Sequence, residues 1–275
     1  ISFEFGHIAA RAGSEVCMID RGERPLKGFD ADLVERLVAR GEEVGVQLRR
    51  RTSLKSIKKD GTDFLVTVET GSETKDLRAD LVVQGAGRVA AIDQLDLAAA
   101  NVEAGDKGVA VNAYLQSTSN PKIYAAGDAA DTQGAPLTPV AVFEGKVAAS
   151  NMLKGNRTKP DYSGVPSAVF TVPELTRVGM LEQDAREAGH DIRVVENDTG
   201  DWYSNLRVGE SCAATKVIID KDSDTILGAH LLGPEYGEII NFFGLAIRLG
   251  LTTSDLKKMV SVYPSVGSDL GSMLS

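Results

Sequence analysis

Only two of the 275 residues are cysteine, three are histidine and one is tryptophan. Cys17 and Cys212 lie far apart and form no Cys-x-x-Cys pair. That spacing speaks against a disulfide-stapled secreted scaffold and against a zinc site, so no metal is expected; the sparse thiols fit a reducing, cytoplasmic compartment. Cys17 falls in the apolar run Val16-Cys17-Met18-Ile19 and is expected as a buried core thiol. Positive charge is not in excess either: 30 Lys and Arg stand against 39 Asp and Glu, for a net charge of −9. A nucleic-acid binder would carry a basic face. The one dense basic run, Arg49-Arg50-Arg51, reads as a solvated strand edge. No apolar run reaches the length of a membrane span. Neither nucleic acid nor a membrane is expected as a partner.

What is present is ordinary globular composition, 43% hydrophobic and 25% charged. The length suffices for two or three domains, each with its own core. The chain opens on Ile1 rather than Met, inside a helical pattern, which predicts further residues upstream. Residues 1–89 read as an α/β unit. Ile1, Phe5, Ile8, Ala9 and Ala12 recur at helical spacing, and Gly13 stops the helix. A strand follows at Val16 to Ile19, then a helix capped by Asp30 with Leu33, Val34, Leu37 and Val38 on its apolar face. Val46 to Leu48 is the next strand. A three-stranded meander is expected at Leu54 to Ile57, Phe64 to Val68 and Leu81 to Val83, with turns at Gly61 and Gly71.

Residues 90–160 hold a strand over Lys122 to Ala126 that ends in Gly127-Asp128, then a helix from Pro139 to Leu153. Residues 161–275 read as α+β, with strands at Ala168 to Val172, Lys216 to Asp220 and Thr225 to Leu232 and an amphipathic helix from Glu238 to Leu249.

Two features carry chemistry. The first is a helix, a glycine exit, a strand and an acidic residue, Asp20, which together form the later half of a dinucleotide-binding βαβ unit. Its phosphate-loop glycines would precede Ile1, and any βαβ unit shows the same half-motif. The second is Tyr124-Ala125-Ala126-Gly127-Asp128, followed by Leu137-Thr138-Pro139-Val140. A strand-end glycine permits close backbone approach, and the Asp128 carboxylate can accept hydrogen bonds from ribityl hydroxyls. A helix starting near Pro139 aims its N–H groups at an electron-rich ring. Read singly, Asp128 is a loop cap and Thr138-Pro139 a helix start.

Taken together, the segments resemble the pyridine nucleotide-disulfide oxidoreductases. The matching stretches are Ile1-Ser2-Phe3-Glu4, Arg24-Pro25-Leu26-Lys27-Gly28-Phe29-Asp30, Gly85-Ala86-Gly87-Arg88-Val89, Tyr124 to Asp128, Leu137 to Ala141, Val165-Pro166-Ser167-Ala168-Val169-Phe170-Thr171 and Val178-Gly179-Met180. They run through nearly the whole chain in the family's order. The resemblance implies a Rossmann-like α/β FAD- and NAD(P)-binding portion lacking its N-terminal part, then an α+β interface domain. The expected parts are a nicotinamide-nucleotide domain at 1–89, the later half of a FAD domain at 90–160, and a homodimer-forming domain at 161–275. It implies FAD with NADPH or NADH as cofactors and a small disulfide as acceptor. The redox-active cysteine pair would lie upstream, so the chain by itself is expected to be inactive.

Roles follow by position. Glu4 is expected beside the flavin, facing a lysine upstream. Gly87 and Arg88 are expected along the nicotinamide nucleotide, and Val169 near its carboxamide. Gly127 and Asp128 would hold the ribityl chain, with Leu137, Thr138 and Pro139 against the flavin ring. Asp20 favours a ribose 2′-hydroxyl and hence NADH, whereas Arg21, Arg24 and Lys27 could clamp the 2′-phosphate of NADPH; Arg21 and Lys27 resemble the basic pair of NADPH-using members. Departure comes at the C-terminus. The glutathione reductase and dihydrolipoamide dehydrogenase branches carry His-Pro followed by a glutamate, an acid–base pair suited to a leaving thiolate. Here Tyr263-Pro264 stands instead, Ser268 takes the glutamate position, and Asp269 comes one residue late. Tyrosine at that place resembles the mercuric reductase branch, but the vicinal cysteines that end that branch are absent from Ser272-Met273-Leu274-Ser275.

Overall fold

The first helix, α1 (Ser2–Arg11), buries a different face from the one its large side chains mark. Phe3, Gly6, His7 and Ala10 are buried, while Ile1, Phe5 and Ile8 remain 58%, 55% and 60% exposed. Close approach decides this. In the computed structural model, which describes all of residues 1–275, Met18 packs so tightly on Gly6 that a Cβ there would lie 2.8 Å from its sulfur. Only the small-residue face of α1 can come that near the strand behind it.

That strand, β1 (Val16–Ile19), runs parallel to β2 (Val46–Arg49), with Val16 opposite Val46. Between them α2 (Ala31–Glu43) makes the crossover, and Asp30 caps it as expected, its carboxylate accepting from the Asp32 and Leu33 amides at 3.1 and 3.2 Å. Cys17 is exposed rather than buried. Side chains alternate across a strand, so with Met18 turned towards α1, Cys17 faces the open side, where Arg49 Nε approaches its sulfur at 3.3 Å. The meander comprises β3 (Thr52–Asp60), β4 (Asp63–Thr70) and β5 (Glu73–Ala79). Its third strand is thus the charged Glu73–Ala79 segment and not Leu81–Val83, which is irregular and largely exposed. An edge strand solvated on both faces carries no hydrophobic signal, whereas Leu81 and Val83 have the signal but no strand to pair with.

Residues Ala86–Val165 form a compact unit of their own. There β6 (Ala104–Gly105) pairs antiparallel with β7 (Gly108–Ala110), which pairs parallel with β8 (Ala130–Asp131). The strand expected over Lys122 to Ala126 does not form; Tyr124 makes a single bridge to Gln116, and the chain enters a short 3-10 turn at Gly127–Ala129. Helix α3 (Thr138–Lys154) matches its expectation closely.

The remaining chain builds a five-stranded antiparallel sheet, ordered β11-β12-β13-β10-β9. Its strands are β9 (Ser167–Val169), β10 (Glu174–Gly179), β11 (Ile192–Asp198), β12 (Ala214–Asp220) and β13 (Ile226–Gly233). Short helices α4 (Glu182–Glu187) and α5 (Tyr203–Leu206) decorate it. Helix α6 (Tyr236–Leu249) lays Ile239, Ile240, Phe243 and Ala246 into its core, and α7 (Thr253–Leu256) follows. This sheet and residues Ile1–Gly85 belong to one compact unit. Phe3, Leu33, Val34, Leu37 and Val38 share a core with Val169, Leu175, Ala214 and Leu232.

Candidate functional site

Glu4 lies on α1, and the chain immediately after β9 closes on it. Its Oε1 accepts from the Phe170 amide at 2.9 Å. Burial acts to raise the Glu4 carboxyl, and the hydrogen bond from the Phe170 amide acts to lower it. One turn on, His7 is buried with Nδ1 3.3 Å from the Val172 carbonyl, and burial keeps it towards the neutral form. Phe170 is 63% exposed beside Glu4. Val169, by contrast, points into the shared core.

At the end of β1, Asp20 folds back on its own loop, accepting from the Gly22 amide at 2.6 Å. Arg24 is committed to the carbonyls of Phe29 and Lys27, each at 3.2 Å. Arg177 of β10 donates to the Gly28 carbonyl and pins the same loop. Arg21 and Lys27 are exposed and make no ion pair. The two cations of the loop not tied down are therefore those two.

Within Ala86–Val165 the structure gathers Gly127, Asp128, Leu137, Thr138 and Pro139. Gly127 adopts a positive φ of 64°, and a Cβ there would fall 2.7 Å from that of Ala141 in the first turn of α3. Only glycine lets the turn rest so close. Asp128 is exposed and unpartnered, Leu137 is the N-cap residue, and no side chain caps α3. An exposed carboxylate thus stands beside an uncapped helix N-terminus with free N–H groups. This acceptor-and-donor set fits a polyhydroxyl chain joined to an electron-rich ring. Gly87 takes φ of 117°, and Arg88 is exposed.

Sequence reasoning missed Glu144. It is fully buried on α3 and accepts hydrogen bonds from the Gly127 amide, Thr132 and Tyr162. A signal existed: Glu144 sits on the stripe Val140, Val147, Ala148 and Asn151, the buried face of the helix.

At the C-terminus Tyr263 is 75% exposed, its ring 6.3 Å from that of Tyr203 with planes 23° apart. Its hydroxyl makes no hydrogen bond. Asp269 does not partner it; that carboxylate accepts from the Ser204 hydroxyl at 2.5 Å.

Residues 1–145 match the pyridine nucleotide-disulphide oxidoreductase family, and residues 165–273 match that family's dimerisation domain. The chain belongs to this family. Its members use FAD and NAD(P)H. A Staphylococcus aureus protein named as an uncharacterized 19.7 kDa protein in mercuric resistance operon is 51% identical over 180 residues, which is 66% of this chain and all of that protein. Mercuric reductase of Bacillus cereus is 31% identical across 98% of this chain and 42% of the enzyme. Glutathione reductase of a Nostoc strain is 30% identical across 99% of this chain and 61% of the enzyme. Among solved structures, a copper(II) complex of RclA, an HOCl-induced flavoprotein disulfide reductase of Escherichia coli, superposes with a TM-score of 0.88. It is 26% identical and aligns with 98% of this chain and 60% of RclA. The chain thus spans about half the length of these enzymes, from 42% to 61%. No helix is long and apolar enough to cross a membrane.

Proposed function

We propose that this chain is the nucleotide-facing and dimer-forming portion of a FAD-dependent NAD(P)H oxidoreductase whose acceptor is a small disulfide. The observation that carries the reading is the free Asp128 carboxylate beside the uncapped start of α3, brought together by Gly127. Asp128 would accept from the hydroxyls of the cofactor's ribityl chain, and the amides around Leu137 and Thr138 would offer the positive end of the helix dipole to its electron-rich ring. Pro139 presets the first helical turn and has no N–H of its own. When bound, FAD would supply two-electron transfer from the nicotinamide hydride to a disulfide outside these residues, which is thereby reduced to a dithiol.

Glu4 is an ionised group fixed by the Phe170 amide, suited to orienting a cation on the nicotinamide side. Gly87 lets the backbone approach the nucleotide, and Arg88 offers charge to its phosphates. Any contribution from Val169 to the carboxamide comes through its backbone, because its side chain is buried. Asp20 is turned inward to Gly22, which leaves Arg21 and Lys27 to receive a 2′-phosphate, so NADPH is the preferred donor over NADH. Replacing both cations by alanine is expected to raise KM for NADPH at least about tenfold and leave that for NADH nearly unchanged. Equal losses for both donors would overturn the assignment. Residues 161–275 form the homodimer, in a cytoplasmic setting.

Tyr263 favours a second reading, a metal-ion reductase of mercuric type. A phenol is a competent hydrogen-bond donor, and the similar protein from a mercuric resistance operon points the same way. The deciding experiment is an anaerobic visible titration of the full-length protein with NADPH. A long-wavelength charge-transfer band reports a thiolate beside flavin and supports the disulfide-reductase chemistry. Flavin that bleaches without that band contradicts it. NADPH oxidation stimulated by mercury(II) but not by glutathione disulfide would select the second reading.

A further inference from the structure

The carboxyl group of Glu144 has no exposed surface and no ion-pair partner. Burying a charge costs several kcal/mol unless hydrogen bonds replace its water. Here neutral donors do so: the Gly127 amide reaches Oε2 at 2.6 Å, and the hydroxyls of Thr132 and Tyr162 reach Oε1 at 2.8 and 2.5 Å. These donors come from separate stretches of chain, all drawn onto one side chain of α3. The surroundings are shaped to admit it. A Cβ on Gly134 would lie 2.6 Å from Glu144 Oε1 and 2.8 Å from the Tyr162 ring. Packing alone does not call for a carboxylate on the stripe of Val140, Val147 and Ala148; an apolar residue would fill it at less cost.

What Glu144 uniquely does is hold the Gly127 amide. That amide belongs to a glycine in the left-handed region, pressed on Ala141, and the next residue is the outward-facing Asp128. We propose that Glu144 is a positioning residue for FAD: by anchoring the Gly127 amide inward, it sets the direction in which Asp128 presents its carboxylate beside the start of α3. This rests on the FAD reading above. Glu144 itself does not touch the cofactor; it acts through the turn.

Glu144→Gln tests this, since it keeps the size and one acceptor but turns an N–H towards either the Gly127 amide or the two hydroxyls. Apoprotein of the full-length chain is titrated with FAD by quenching of flavin fluorescence, alongside thermal unfolding of the same apoprotein. Glu144→Gln is expected to weaken FAD binding by about tenfold, the scale of one charged hydrogen bond lost. The double-mutant cycle with Asp128→Asn separates positioning from general stability. If Glu144 acts through Asp128, the double variant loses little beyond Asp128→Asn alone. Independent, additive losses would overturn the proposal, as would unchanged affinity in Glu144→Gln. Should Glu144→Gln not fold, Glu144→Asp keeps the carboxylate but withdraws it by one methylene from the Gly127 amide; several-fold weaker FAD binding supports the proposal and unchanged affinity overturns it. Wild-type protein that binds no FAD would instead remove the FAD reading, and the proposal with it.

Discussion

Each of the two compact units is held together by its own means. In the larger one, Ile1–Gly85 with Pro166–Ser275, the interior is continuous and apolar. Leu33, Leu37 and Val38 of α2 reach into the same core as Leu175 and Leu232 of the five-stranded sheet. Ion pairs lie across the same seam: Lys216 with Asp30 at 3.1 Å, Arg36 with Asp198 at 2.8 Å and Arg40 with Glu210 at 3.2 Å. The smaller unit, Ala86–Val165, has an apolar cluster built on Leu115, Val147 and Ala148. Its irregular backbone is tied instead by buried polar side chains, Glu144 and Asn151. Asn151 donates to the carbonyls of Tyr114 and Thr158 and accepts from the amides of Arg157 and Thr158. Where strands pair little, side chains must satisfy the backbone; Asn151 ties the segments at Tyr114 and Arg157-Thr158, and Glu144 ties those at Gly127 and Thr132. In the five-stranded sheet the ladders satisfy the backbone, and the side chains are left free to pack.

The contrast breaks most readily at Leu37, which is completely buried. Leu37→Ala removes a side chain from the shared core and is expected to cost about 3 kcal/mol, the usual range for a leucine cavity. Urea unfolding followed by far-UV circular dichroism and by the single tryptophan, Trp202, should show one coincident, shifted transition in this unit. Separate transitions for residues near α2 and near Trp202 would show that the seam is not one cooperative core. A smaller loss is expected in the other unit. Asn151→Leu keeps the branching at Cγ but leaves two carbonyls and two amides without that partner, at about 2 kcal/mol. A neutral result would mean that water satisfies them, and that polar side chains are not what ties this unit.

Reading from sequence works best where one residue type has one physical job. Asp30 before an apolar helix reads as a cap, and the stripe Leu33, Val34, Leu37 and Val38 marks the buried face of α2 directly. The same rule fails on α1, because it ranks residues by size and cannot see that Met18 needs the small face at Gly6. Cys17 defeats it for a related reason: alternation says which residues share a face, not which face is covered. For the site, Gly127-Asp128 and Leu137 to Pro139 are legible as a motif. Their organiser is not, because a glutamate on a helix reads as solvated unless its position on the stripe Val140, Val147 and Ala148 is weighed. Tyr203 gives no signal at all; its nearness to Tyr263 is a product of tertiary packing between distant segments.

The weakest link across the seam gives the smallest effect and the sharpest sign. Arg36 donates to Asp198 at 2.8 Å, and with the Gly200 amide it holds the Asp198 carboxyl below its ordinary value of 3.8. A carboxyl with a depressed folded pKa binds fewer protons folded than unfolded. Its contribution is therefore complete above 3.8 and is lost as pH falls through the folded value. Both side chains are substantially exposed, 47% for Arg36 and 65% for Asp198, so the pair is screened by solvent. Arg36→Met should cost less than about 1 kcal/mol at neutral pH. Unfolding midpoints of wild type and variant should converge as pH is lowered into the acid range, because Asp198 then loses its advantage in both. A gap that stays constant down to acid pH would place the effect in the packing of the Arg36 stem and not in its charge. The seam would then be apolar even at its rim.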